Sequence, residues 1–144
     1  MVEGANLAAV FDDLQLRTLR AALDRLIPAD DFPGAWEAGC GDYILGQLSG
    51  QLALLVPVYI AGIDGLEAEA QAEFGQSFAG LSGEEQDIIL RRVEAGDTAA
   101  EWRTPARSFF SMIASHAAEG YYADPGQGGN RDRLAWKMVG FNGR

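Results

Sequence analysis

The chain has 144 residues, 48% of them hydrophobic and 22% charged, with a formal net charge of −10. This is the profile of a soluble globular protein large enough to bury a core without staples. Duplex nucleic acid is excluded as an expected partner, because residues 1–100 hold 17 acidic against 5 basic side chains and phosphate binding needs a concentrated basic face. Cys40 is the only cysteine, which rules out an internal disulfide and a Cys-x-x-Cys-His haem attachment.

Helical spacing dominates from the start of the chain. Asp12 and Gln15 form a capping-box pattern, with Phe11 placed to staple onto Leu16. Leu16, Leu19, Leu23, Leu26 and Ile27 then recur at spacings of three and four, one face of a helix. Pro28 and the Ala-Asp-Asp-Phe-Pro-Gly that follows it end this helix in a turn. Pro33 suits the first turn of a second helix carrying Trp36, Tyr43, Ile44 and Leu48. The longest apolar run, Leu52 to Ile63, is interrupted by Pro57 and Gly62. It falls short of the roughly 18 residues that cross a bilayer, and no membrane span is expected.

Leu52–Val56 and Tyr59–Phe74 predict one kinked helix or two successive ones around Pro57. Ser82-Gly83-Glu84-Glu85 is a second capping box, opening a helix through Ile88, Ile89, Leu90 and Val93 that stops near Gly96. Thr104-Pro105 opens the last long helix, on which Phe109, Ile113, His116 and Gly120 share a face and which Asp124-Pro125 closes. Asn130 then caps a short turn carrying Trp136 and Met138. The expectation is all-α: a single compact domain over residues 1–144, with about five or six helices and an ordered, irregular C-terminal tail at 120–144.

That tail is unusual in composition. Residues 101–144 carry 4 acids against 6 bases, unlike the acidic body, which suggests that they face something different. Ordering so glycine-rich a segment is costly in backbone entropy, so either this chain's core or a partner surface must hold it. Tyr121, Tyr122, Trp136 and Phe141 stand beside Arg131, Arg133 and Lys137, the residue types enriched at interface hot spots. Both readings of the aromatics stay open: packing against the chain's own helices, or against a partner.

Catalytic and ligand-binding patterns are thin. His116 is the only histidine. Ser111, Ser115 and Asp124 could complete a triad with it, but its place on an apolar stripe favours a core or interface histidine bonded to a carbonyl. Cys40 and His116 lack the short spacing of a zinc site. Asp12-Asp13 and Asp30-Asp31 lack the alternating ligands of a calcium loop. Gly126-Gln127-Gly128-Gly129-Asn130 follows a helix, not a strand, and has no Gly-Lys-Ser/Thr ending, so it reads as a turn instead of a phosphate cradle, and no FAD or NAD is expected in this chain.

Two segments resemble a known family. Leu23-Asp24-Arg25-Leu26-Ile27-Pro28-Ala29-Asp30-Asp31 with Pro33-Gly34-Ala35 is similar to its N-terminal signature. Glu119-Gly120-Tyr121-Tyr122-Ala123-Asp124-Pro125, Gly128-Gly129-Asn130-Arg131-Asp132 and Trp136-Lys137-Met138-Val139-Gly140-Phe141 resemble its C-terminal one. The family is the gluconate 2-dehydrogenase subunit 3 family, the small (gamma) subunits of FAD-dependent sugar dehydrogenases. Gln127 and Asn142 depart from it, at positions where an aromatic and a proline are usual.

The resemblance implies a non-catalytic accessory subunit that stabilises, folds or co-exports a large FAD-containing flavoprotein of the glucose-methanol-choline (GMC) type. A cytochrome c subunit or another acceptor takes the electrons. On this reading Tyr121, Tyr122, Asp124, Asn130, Arg131, Asp132, Trp136 and Lys137 form the partner interface. Many members carry a twin-arginine signal peptide. No basic segment precedes an apolar one at this N-terminus, so the chain as given reads as cytoplasmic, or as periplasmic if a leader was removed or is carried by the partner.

Overall fold

A computed structural model describes residues 10–28 and 34–122. Five α-helices and no strands occur among them: α1 Asp13–Leu26, α2 Cys40–Leu48, α3 Val56–Phe74, α4 Gly83–Ala95 and α5 Ala106–Tyr122. Single 3₁₀ turns at Ala53–Leu55 and Phe78–Gly80 precede α3 and α4.

Both capping boxes form as the sequence predicts. The Gln15 amide donates to Asp12 Oδ1 at 2.7 Å and the Asp12 amide to Gln15 Oε1 at 3.0 Å. Ser82 and Glu85 repeat the pattern at the start of α4. At its other end α4 stops on Gly96, whose φ of 76° lies in the left-handed region that a side chain disfavours. The apolar face of α1 turns inward, with Leu19 and Leu23 fully buried and Leu16, Leu26 and Ile27 packed at the edge of the core.

Two expectations shift. Trp36 is not helical: it lies in a hydrogen-bonded turn that ends at Gly39 (φ 101°), and α2 begins only at Cys40. Pro33, assigned to the first turn of that helix, lies outside the described residues. The turn is held from a distance, because the Trp36 amide donates to Asp24 Oδ1 at 2.9 Å and the Arg20 guanidinium sits 5.7 Å from the Trp36 ring centre. In α5, Phe109 N donates to the Pro105 carbonyl at 3.0 Å. Pro105 is therefore the residue before the first helical turn, and Thr104 lies one position further out. Pro57 creates no kink: it stands in the first turn of an unbroken α3, where its missing N–H has no helical partner to lose.

One contiguous core joins the five helices. α5 packs mainly on α2 and α4, and α1 on α3 and the turn at Phe78–Gly80. Arg25 of α1 grips Asp87 of α4 through two hydrogen bonds of 2.9 and 2.8 Å. Those bonds lower the Asp87 pKa, and burial only partly opposes them. A carboxylate with a depressed folded pKa stabilises above its unfolded pKa and loses that contribution as pH falls through the folded value. The raised Arg25 pKa acts only in strong alkali. Asp87→Asn is therefore expected to cost up to about 1 kcal/mol near neutrality, the range for a partly exposed pair. Urea titrations should show that difference constant from about pH 5 to 7 and shrinking below about pH 4.

Candidate docking surface

The C-terminal end of α5 carries the beginning of the signature-bearing tail, and α2 pins it in place. The Cys40 thiol donates to the Ala117 carbonyl at 3.3 Å, and the Tyr43 hydroxyl reaches Glu119 Oε1 at 3.5 Å. A side chain at Gly120 would press on Tyr43 at 3.0 Å and on the Cys40 backbone at 3.3 Å, so glycine there is what lets the two helices close. Burial first, with Asp24 adding to it, pushes the Cys40 thiol up to about 12.

The two tyrosines that follow part company. Tyr121 is 1% exposed and belongs to the core, whereas Tyr122, its ring 5.4 Å away at 82°, is 45% exposed. The aromatic pair is thus divided: Tyr121 anchors the helix end and Tyr122 offers surface. Asp124, Asn130, Arg131, Asp132, Trp136 and Lys137 lie outside the described residues, as do Asp30, Asp31 and the expected turn at 126–130.

His116 bonds a hydroxyl, not the carbonyl expected. Its Nδ1 is 2.6 Å from the Tyr59 hydroxyl, the two rings nearly parallel at 10° with centres 5.7 Å apart. Burial lowers the His116 pKa, against an opposing pull from Glu119. Burial, reinforced by Glu119, raises that of Tyr59. Both shifts favour a Tyr59 O–H donating to a neutral imidazole whose proton sits on Nε2. Tyr59 is fully buried and also meets Phe109 edge-on, ring centres 6.1 Å apart. This arrangement ties α3 to α5.

Among the described residues, no group of three or more His, Cys, Asp or Glu side chains is placed to hold a metal. A cleft of about 650 Å³ lies beside the first turn of α5. Its two arginines are already engaged, Arg103 with Asp64 at 2.9 Å and Arg107 with the Ala95 carbonyl at 2.9 Å.

One surface feature escaped the helical-periodicity reading. At the corner between α2 and α3, Leu54 stands 93% exposed, with Ala53 and Pro57 also exposed and Leu52, Leu55, Val56 and Val58 half-buried around it. The signal that could have found it is charge, since no charged side chain occurs from Tyr43 to Ile63. No single helix among the described residues is long and apolar enough to cross a membrane. α2 and Ala53–Phe74 pass that test only jointly, and they meet at a bend of 99°.

Comparison with curated proteins and with solved structures gives no match. The family described as Gluconate 2-dehydrogenase subunit 3 matches residues 13–143, nearly the whole chain and both signature segments. The chain belongs to the gluconate 2-dehydrogenase subunit 3 family.

Proposed function

We propose that this chain is the non-catalytic small subunit of an FAD-dependent sugar or polyol dehydrogenase, binding and stabilising a GMC-type catalytic subunit and assisting its folding or export. The observation that carries this reading is the family match over residues 13–143. On this reading the flavin belongs to the partner; a Rossmann-type site needs a strand that turns into a helix, and the described residues form helices and turns only. A cytochrome c subunit or another acceptor would receive the electrons from that partner. If either chain carries a twin-arginine leader, the pair is exported folded.

The test is to produce the flavoprotein with and without this chain and to measure soluble yield, bound flavin and dye-linked sugar oxidation. All three should rise with co-expression, and the two chains should sediment as one species. Sugar oxidation by this chain alone, abolished by His116→Ala, would overturn the assignment. Absence of this chain from the flavoprotein peak would indicate a transient chaperone instead.

Within the tail, Tyr122 and Trp136 are proposed as the aromatic anchors, with Asp124, Asn130, Arg131, Asp132 and Lys137 around them. Exposed ion pairs contribute only about 0–1 kcal/mol, so the aromatics should dominate. Trp136→Ala is expected to weaken the complex by about 2 kcal/mol, roughly 30-fold in Kd, by titration calorimetry. Lys137→Ala should change it less than about 5-fold.

A further inference from the structure

We infer that the apolar corner between α2 and α3, with Leu54 at its tip, is a second docking point for the catalytic subunit. This rests on the accessory-subunit reading above and adds to it a surface far in sequence from the tail.

The corner is held rigidly by its own backbone. Leu52 N donates to the Gln47 carbonyl at 2.8 Å, Ala53 N to Gly50 at 3.1 Å and Leu55 N to Leu52 at 2.9 Å. The Ser49 hydroxyl closes the end of α2 on the Leu45 carbonyl at 3.0 Å. Leu54 therefore projects from a hydrogen-bonded turn, and little ordering entropy remains to be lost when a partner covers it. Helix-to-helix turns on a solvated surface usually carry Gly, Asn, Asp or Ser at the tip. This one places those residue types at Ser49 and Gly50, then runs Leu52-Ala53-Leu54-Leu55 through its 3₁₀ turn into α3.

Charge selects the occupant. An anionic bilayer is recognised by Lys and Arg flanking the apolar face, and none lies between Tyr43 and Ile63 in a chain of net charge −10. A second copy of so acidic a chain would be repelled at long range. Depletion of charge around exposed aliphatic side chains is the composition of the buried centre of a protein–protein interface. Membership of a family of dehydrogenase subunits supplies the protein.

Leu54→Asp in the co-expressed pair should raise the Kd for the catalytic subunit at least tenfold, the scale expected when a leucine loses its buried contact. The isolated chain's Tm should stay within about 2 °C of wild type, since a fully exposed side chain contributes little to its own fold. A photo-crosslinking residue at position 54 should label the flavoprotein, whereas the same residue at exposed Glu84 of α4 should not.

Retention of a wild-type Kd by Leu54→Asp, with no crosslink from position 54, would overturn the inference and leave the accessory role intact. Failure of the wild-type pair to associate would overturn both. A crosslink from position 54 to this chain's own residues, to a second copy, or to vesicles of phosphatidylglycerol in place of the flavoprotein also overturns it.

Discussion

Gly62→Ala is expected to lower stability by about 2 kcal/mol, even though alanine is the better helix former by about 1 kcal/mol. A β-carbon at position 62 would lie 2.1 Å from Cδ1 of Phe109, well inside van der Waals contact. The ring has no free direction to move. Phe109 is buried, meets Tyr59 edge-on with centres 6.1 Å apart and leans on Trp102 at 6.0 Å. Overpacking of a closed core costs about 1–3 kcal/mol and occasionally more; an overlap this deep takes the upper end, and about 3 less the propensity gain of about 1 leaves the net of about 2 kcal/mol. For a chain of this size the loss corresponds to a fall in Tm of roughly 6–10 °C. Gly46→Ala is the built-in comparison: it is also helical, but a β-carbon there meets nothing within 4 Å. It should leave Tm unchanged or raise it by a few degrees. Equal effects at the two positions would contradict the packing argument.

Glu69→Ala should cost more, about 3 kcal/mol or above. Glu69 is fully buried in α3 and accepts from the amides of Ala99 at 3.0 Å and Ala100 at 2.7 Å and from the Trp102 indole at 3.1 Å. The partners the structure gives this carboxylate are N–H dipoles of the segment joining α4 to α5. Bonds to a charged acceptor are the strong ones, and each donor left without an acceptor carries its own desolvation penalty of about 1–3 kcal/mol. Glu69→Gln keeps an acceptor oxygen but turns an NH₂ toward donors, and it should fall between wild type and alanine. Hydrogen exchange gives the local readout. The amides of Ala99 and Ala100 should exchange faster in Glu69→Ala under conditions where the α1 amides do not. Unchanged protection at 99 and 100 would show that the segment is held by something else.

These residues show which parts of the molecule were legible in the sequence. The two capping boxes are relations over three residues, so pattern and structure agree to the residue. The helical class follows from apolar spacing in the same way. Glu69 lay hidden because two of its partners are backbone amides some thirty residues away, which no residue type announces, and the third is an indole equally distant in sequence. Gly62 read as an interruption of an apolar run. It and Gly65, where a β-carbon would lie 2.5 Å from the Trp102 ring, are sockets for rings arriving from later in the chain.

Local spacing assigns Trp36 to a helix because the turn that holds it depends on Asp24, twelve positions earlier. Asp24 and Arg25 also explain part of the N-terminal signature in physical terms, since one ties down the Trp36 turn and the other the α1–α4 pair. Of the proposed interface, the described residues locate Tyr121 in the core and Tyr122 at the surface, a distinction that adjacent identical residues cannot carry in sequence alone.

The contact that pins α2 to the end of α5 also shields a nucleophile, the Cys40 thiol. Thiolate is the species that attacks disulfides and oxidants. Burial pushes the Cys40 thiol up to about 12, which disfavours the anion at neutral pH. Cys40 is also fully buried, so low access and low thiolate character both act against its attack on disulfides and oxidants in the folded protein. The expected result is that alkylation of Cys40 by iodoacetamide is slow in the native chain and fast once urea unfolds it.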